Sequence, residues 1–419
     1  MLKNVAKKFI VAISWFFVRR YQARFTPTII AVAGSIGKTG TKRTISLVLS
    51  GGKRVAWQDG NYNDIVTVPL VYFGLSEPSL YNPFAWMIAF LRMAVQCMQR
   101  QGAQIVVLEL GTDKKGDIAS FNGRLFADYG VVTAIAAEHM QNFGTLDAVA
   151  EEEFMLAKYT KQLYIEGNIL DNGFSKSLAS YKSYGSSKNC DTSFVFDGTK
   201  ISITSSKNIY EFVPMLQGRH QYGALTIAAE LGEQVGLEAK TILKGLRAVA
   251  PMPGRMQILQ GKDGSHLIDD TYNSSPEAAI AALDYLYERA NFKKIAVLGS
   301  MNEMGDSSQS LHEKVAAHCD FSKIDVLITI GHDANKYIGE YLEKKSANVI
   351  KMNSPYQVGK YLSKLDLANT VVLFKGSQNG VFLEEAVKLV LQDPHDSRRL
   401  VRQSSDWNIK KNAQFGAEI

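Results

Sequence analysis

The sequence predicts an α/β protein in two parts: a central parallel-sheet domain whose first strand runs into a Gly-rich turn, and a smaller α/β domain after it. Three observations carry this. Apolar runs at residues 29–33, 105–110, 129–133 and 163–165 alternate with helical segments, as strands covered on both faces of a parallel sheet do. A Pro-Met-Pro-Gly stretch at 251–254 reads as a linker, and beyond it similar runs recur at 265–268, 294–298, 326–330 and 370–374. No internal repeat is evident, and 419 residues suffice for two or three domains.

Residues 1–26 come first. A basic start (Lys3, Lys7, Lys8) precedes an apolar run, 9–18, broken only by Ser14, and Arg19, Arg20 and Arg24 follow. The run is too short to span a bilayer. Arg-Arg-Tyr stands where a signal peptide would need small residues for cleavage. Two readings remain: a helix docking its apolar side on the central domain, which is preferred, or peripheral contact of residues 1–25 with an anionic membrane.

Next, the strand at 29–33 enters Gly34-Ser35-Ile36-Gly37-Lys38-Thr39-Gly40, a shortened GxxGKT form of the phosphate-binding loop. Gly34 and Gly37 let backbone N–H groups converge on phosphate, and the following helix offers its positive end. Lys38 can neutralise terminal phosphates, and the Thr39 hydroxyl can ligate Mg²⁺. ATP and Mg²⁺ are the cofactors expected.

The segment 84–98 is almost wholly apolar, with Arg92 its single charge, and reads as a buried helix. It could instead cover the N-terminal helix or lie on a membrane with it. The strand at 105–110 then carries Glu109 near its C-terminal end, where ligands of parallel sheets sit and where a buried carboxylate needs a cation. Mg²⁺ shared with Thr39 supplies one; an Arg partner or a helix cap is the structural alternative. His139 follows the strand at 129–133 at the same sheet edge, a place for a second metal ligand or for an ordinary structural histidine. A polar stretch of short strands at 193–213 interrupts this alternation, and a helix at 222–235 closes the domain.

Past the linker, Arg255 could reach phosphate when the domains close. Asp269, Asp270 and Asn273 end the first strand of the second domain, where paired carboxylates can hold metal, a ribose hydroxyl or a cation, or cap the helix that begins near Pro276. The tail at 393–419 is polar and aperiodic and is expected to be mobile or loosely docked. The balance of 47 basic to 41 acidic residues, without a basic stripe, gives nucleic acid no support. Three widely spaced cysteines suggest neither a zinc site nor a disulfide framework, which suits a reducing cytoplasm.

In order, these segments resemble the Mur ligases. The resemblance runs over 27–390 on Gly34-Ser35-Ile36-Gly37-Lys38-Thr39, Gly60-Asn61-Tyr62-Asn63 with Val68-Pro69-Leu70, Leu108-Glu109-Leu110-Gly111 with Gly116-Asp117-Ile118, and His139 with Phe143-Gly144. It continues on Gly218-Arg219-His220, Pro253-Gly254-Arg255, Asp269-Asp270-Thr271-Tyr272-Asn273, Met304-Gly305 with His312, and Lys375-Gly376-Ser377. It implies domains at 27–250 and 251–392, a central P-loop parallel-sheet ATPase domain followed by a smaller Rossmann-like α/β domain, with 1–26 and 393–419 outside them. It also implies a cytoplasmic, monomeric ATP-dependent ligase that joins a carboxylate to an amine through an acyl phosphate, on a cell-wall peptide precursor.

By this resemblance Thr39 and Glu109 hold one Mg²⁺ and His139 helps hold a second. Arg255 with Asp269, Asp270 and Asn273 meets the nucleotide. Asn61 and Asn63 face one substrate, and Lys375 and Ser377 face the incoming amine or dipeptide. Glu153 stands where the family carries a carbamylated lysine and would supply its charge; Lys158 is the rival.

Three departures shape the expectation. Only about 26 residues precede the first strand, where the family has a domain gripping UDP, so a lipid-linked or partner-presented acceptor is a hypothesis and the membrane's inner face a candidate location. Gly223 and Ala224 replace an Asn that reaches the nucleotide, and Gln378 replaces an Arg after the Lys-Gly-Ser motif. The rival readings are a ligase for another acid, such as a folate or peptide-like polymer, and a non-catalytic ATP-binding regulator of a cell-wall enzyme.

Overall fold

A computed structural model describes residues 2–186 and 189–416, with the backbone alone at 2–5 and 177; Met1, the Lys3 side chain and the end of the tail at 417–419 lie outside the described residues. The chain forms two compact units, Met1–Ala136 with Asn142–Met215 and Gln221–Val249, and Ala137–Gln141 with Leu216–His220 and Ala250–Ile419.

The first unit is built on a nine-stranded sheet of β1 (Thr28–Ala33), β2 (Val55–Ala56), β3 (Ile105–Glu109), β4 (Ala127–Val132), β5 (Thr160–Glu166), β6 (Lys182–Gly185), β7 (Thr192–Phe196), β8 (Ile201–Thr204) and β9 (Ile209–Phe212), in the order β2-β3-β1-β4-β5-β6-β7-β8-β9. Pairing is parallel from β2 through to β7, and β8 and β9 continue it antiparallel. The polar stretch of short strands, expected to interrupt the sheet pattern, instead extends the same sheet at its edge, where strands covered less completely need not be apolar throughout. Strands β1 and β3 are buried along nearly their whole length, which explains their unbroken apolar runs. The register sets Val32 level with both Glu109 and Val131, so the turn after β1 opens beside the carboxylate at the end of β3.

The N-terminal helix, Leu2–Phe25, docks on this unit through Ile10, Trp15, Val18 and Tyr21, in keeping with the preferred reading. Trp15 donates its indole N–H to the Ile65 carbonyl at 3.0 Å, and the Tyr21 hydroxyl accepts from Ala103 N–H at 2.6 Å. Helix Pro83–Met98 departs from expectation. It buries only Trp86, Ala89 and Met93 and is not a buried helix. Apolar residues occupy both its sides, so composition alone could not tell the packed side from the open one.

The second unit carries a six-stranded sheet of β10 (Gln257–Gln260), β11 (His266–Asp270), β12 (Lys293–Gly299), β13 (Val326–Ile330), β14 (Val349–Met352) and β15 (Thr370–Lys375), ordered β10-β11-β15-β12-β13-β14. All pairs are parallel except β10 with β11. Alternate residues feed two cores: Ile268, Ala296, Leu298 and Leu373 on one face, Leu267, Ile295, Val297 and Phe374 on the other.

The tail corrects its expectation too. Residues Ser405–Phe415 form a helix docked through Trp407 and Phe415 on Phe382 and Tyr356, with buried ion pairs beside them; an apolar face of two residues is too short to show a period. Lys411, 1% exposed, reaches Glu385 at 2.6 Å and Glu384 at 3.1 Å, and Arg402 pairs with Glu384 through both Nε (2.9 Å) and Nη2 (2.7 Å).

Candidate active site

The phosphate loop is shaped by two glycines for different reasons. Gly34 has φ 121, and a Cβ there would strike Thr133; Gly37 has φ 87 with open space around it, so its need is conformational alone. Gly37 sits at the N-cap of helix Lys38–Ser50, and among the described residues no side chain caps that end. The helix therefore presents its N-terminus to whatever lies over the loop, a ready anion site. Lys38 Nζ folds back onto the carbonyls of Gly34 (2.5 Å) and Ser35 (3.0 Å). Ser35 is committed to shape: its N–H donates to Ala134 O (2.8 Å) and its hydroxyl accepts from Ala136 N–H (3.1 Å).

Beside the loop, Thr39 Oγ1 donates to Glu109 Oε1 at 3.2 Å. A hydroxyl and a carboxylate are the hard donors Mg²⁺ takes when phosphate oxygens and water complete its shell. The corner fits that ion. Among the described residues no group of three or more His, Cys, Asp or Glu is gathered as an all-protein metal cage would need. The other Glu109 oxygen lies 2.9 Å from Lys42 Nζ, both side chains being at most 3% exposed. The structural alternative for Glu109 is thus partly realised, with Lys in place of Arg.

Lys42 was not singled out by sequence, where it looks like an ordinary polar residue of a helix's second turn; the signal was its neighbourhood to the loop. It also donates to Gly60 O at 3.3 Å and so ties the Asn-Tyr-Asn loop to this edge. Gly111 N–H donates to Asn63 O at 2.9 Å, and a Cβ at Gly111 would run into the Asn63 amide. Asn61 is exposed.

Helix Leu146–Glu153 adds two neighbouring buried carboxylates with separate tasks. Glu153, 1% exposed, accepts from Gly34 N–H at 2.7 Å, beneath the phosphate loop. Glu152, also missed by sequence, accepts from Gly116 N–H (2.8 Å) and Ile118 N–H (2.7 Å), anchoring the Gly-Asp-Ile motif. Burial and these two carboxylates push the Tyr159 hydroxyl far above the usual tyrosine range. Lys158 is exposed, so Glu153 is the residue that touches the loop.

In the second unit, His139 Nδ1 lies 2.7 Å from Glu303 Oε2. Both residues have positive φ, 51 and 64, a strain that persists only where surroundings enforce it. Asp269 is fully buried and accepts from Gly254 N–H (3.1 Å) and the Thr271 hydroxyl (2.6 Å); burial first, then Asp270 and Glu384, raises its pKa to about 6. Asp270 pairs with Lys375 at 3.1 Å. Lys375, 2% exposed, also bonds to Asn273 O, and Ser377, fully buried, donates to Ser274 O (3.3 Å) and accepts from Asn302 N–H (3.0 Å). Lys375 and Ser377, expected to face an incoming amine, are instead spent on fixing loop 271–274. Asn273 Oδ1 accepts from Ser274 N–H at 2.9 Å.

Arg255 stacks over Tyr272 at 4.2 Å, and its buried Nε has no hydrogen-bond partner among the described residues, which leaves a donor for an anion. His312 is held neutral: Met301 N–H donates to Nε2 at 3.0 Å, so Nδ1–H donates to Ser308 O at 2.7 Å, and burial lowers its pKa.

Comparison with known proteins follows the same division. The Mur ligase middle domain model matches 32–230, and the model described as Mur ligase, glutamate ligase domain matches 254–378. A UDP-N-acetylmuramoyl-tripeptide–D-alanyl-D-alanine ligase of Bacillus subtilis is 28% identical over 90% of this chain and 78% of its own length. Among solved structures, MurF of Acinetobacter baumannii aligns with a TM-score of 0.75 at 20% identity, over 91% of this chain and 80% of that one. MurF ligase of Thermotoga maritima, solved in complex with ADP, aligns with a TM-score of 0.71 at 22% identity, over 93% and 83%. With both domain models matched in order over most of its length, and with the phosphate loop, Thr39–Glu109 pair and Asp-Asp-Thr-Tyr-Asn segment in place, the chain belongs to the Mur ligase family of ATP-dependent ligases.

Proposed function

We propose that the chain joins a carboxylate of a peptidoglycan-precursor peptide to the amine of D-alanyl-D-alanine, in the cytoplasm, through an acyl phosphate. The observation that carries the reading is the Thr39–Glu109 pair, 3.2 Å apart beside an uncapped helix N-terminus, in a chain whose relatives bear the name of that ligase.

A carboxylate oxygen of the acceptor attacks the terminal phosphorus of ATP, the bond to ADP breaks, and an acyl phosphate forms. The dipeptide's amine nitrogen then attacks the acyl carbon, inorganic phosphate leaves with the C–O electron pair, and the nitrogen loses its proton. Thr39 and Glu109 would hold Mg²⁺, which would neutralise charge on the phosphoryl group in transfer. Gly34 and Gly37 shape the loop so that N–H groups at the helix start point at phosphate. Lys38 turns from the Gly34 and Ser35 carbonyls to the transferring group. Lys42 holds Glu109 and the Asn-Tyr-Asn loop in register, so that Asn61 is presented to the acceptor. Glu153 fixes the loop from beneath rather than joining the chemistry, and His139 acts with Glu303.

Phosphate release tests this. With ATP, D-alanyl-D-alanine and UDP-muramoyl-tripeptide, release is expected only when all three are present, with the joined product seen by mass spectrometry. ATP binding without acceptor-dependent release would point to a regulator, and release with a folate and glutamate to another acid.

A further inference from the structure

Helix Pro83–Met98 has a second face that its packing does not use. Opposite Trp86, Ala89 and Met93 runs a stripe of Phe84, Met87, Ile88, Leu91, Val95 and Met98, between 37% and 69% exposed. The spacing places all six on one side for the helix's whole length, about 20 Å at 1.5 Å per residue. On an ordinary surface helix that side would be polar. The N-terminal helix packs beside it, with Cys97 Sγ 3.6 Å from Phe17 O and Arg24 Nη2 3.1 Å from Gln99 O, and it too exposes aromatic rings, Phe9 at 64% and Phe16 at 45%.

The two helices themselves carry charge of one sign, while Lys7 near the start of the first meets Asp64 at 3.9 Å. Residues 1–25 and 78–108 contain no Asp or Glu. Exposed cations frame the stripe on both helices: Lys8, Arg19, Arg20 and Arg24 on one, Arg92 on the other and Arg100 just past it. Arg20 lies over the Phe16 ring at 5.2 Å, its charge held next to the apolar surface.

We propose that this two-helix face docks on an anionic lipid bilayer, with the stripe at the headgroup–acyl boundary and the cations on phosphate. Among the described residues no helix is long and apolar enough to cross a membrane, so the contact is with the surface. Charge selects the occupant. In a two-fold contact between copies, these same cations would oppose each other, whereas anionic headgroups match them. The inference does not rest on the identity of the acceptor or the amine.

The test is flotation of the full chain with vesicles of phosphatidylcholine, with and without phosphatidylglycerol. Flotation is expected with phosphatidylglycerol, weakening as salt shortens the screening length from about 10 Å at 0.1 M towards about 3 Å at 1 M. The double substitution Leu91→Glu/Val95→Glu should cut partitioning by about tenfold or more, and Arg19→Gln/Arg20→Gln by a few-fold. Leu91→Cys carrying a polarity-sensitive dye gives a second reading, a blue shift on anionic vesicles. All these positions are exposed, and acceptor-dependent phosphate release without lipid should match the parent. Failure to float, flotation unchanged in the Leu91/Val95 variant, or a dimer that this variant dissociates would overturn the proposal.

Discussion

The two units end their parallel strands in opposite ways. At the edge of the first sheet, a carboxylate and a hydroxyl meet beside a helix end that no side chain caps, and one buried lysine balances the charge. At the edge of the second, two carboxylates, a lysine and a serine are almost wholly consumed by one another and by backbone, with Arg255 Nε as the donor left over. One edge keeps ligand capacity; the other spends it on holding a loop. The C-terminal ends of parallel strands thus give a chemical site in one unit and a loop-holding scaffold in the other, and what decides is how many polar partners the chain itself supplies.

Breaking each edge at its lysine tests that contrast most strongly. Lys375→Met leaves Asp270 buried without its cation and should cost about 3–5 kcal/mol in urea unfolding. Lys42→Met should cost a similar amount by stranding Glu109, but here Mg²⁺ with a non-hydrolysable ATP analogue should restore much of the loss, and no such rescue is expected for Lys375→Met. Next in size, Lys38→Ala should lower acceptor-dependent phosphate release about 10²–10³-fold while leaving the thermal midpoint near the parent's.

Asp269 supplies the pH arm. Its folded pKa, about 6, lies above the usual aspartate value of 3.8, so the folded state holds the proton more tightly. Stability is therefore fully present below the unfolded value, falls as pH rises from about 4 to 6, and levels off above; the loss is at most about 3 kcal/mol. The urea midpoint against pH should show this slope, and Asp269→Asn should flatten it. Smallest, Ser35→Ala removes the acceptor for Ala136 N–H and should cost about 1 kcal/mol with a modest rise in KM for ATP.

Legibility in the sequence tracked the distance over which partners are chosen. The phosphate loop could be read because its glycines, lysine and threonine answer a local need, and the sheet because buried parallel strands are apolar throughout. Glu109 was found from its place at a strand end. Lys42 and Glu152 were not, because their partners lie dozens of residues away and nothing in a helix marks which cation or carboxylate turns inward. Lys375 and Ser377 were visible as polar groups at a strand end, but sequence does not say whether substrate or the chain's own carbonyls take their hydrogens. The tail escaped because two aromatic residues flanking a buried lysine make too short a stripe to show a period.

That tail also bears on how the protein is made. Arg402 donates to the carbonyls of Thr271 (2.6 Å) and Tyr272 (3.1 Å), residues 131 and 130 positions earlier. At about 5–20 residues per second, roughly ten seconds of translation separate the two partners. The first unit's phosphate corner is complete in the nascent chain long before the clasp on loop 271–274 exists. A ribosome stalled ahead of codon 402 would carry a product able to cradle nucleotide in one half while the other half still lacked its last fastening.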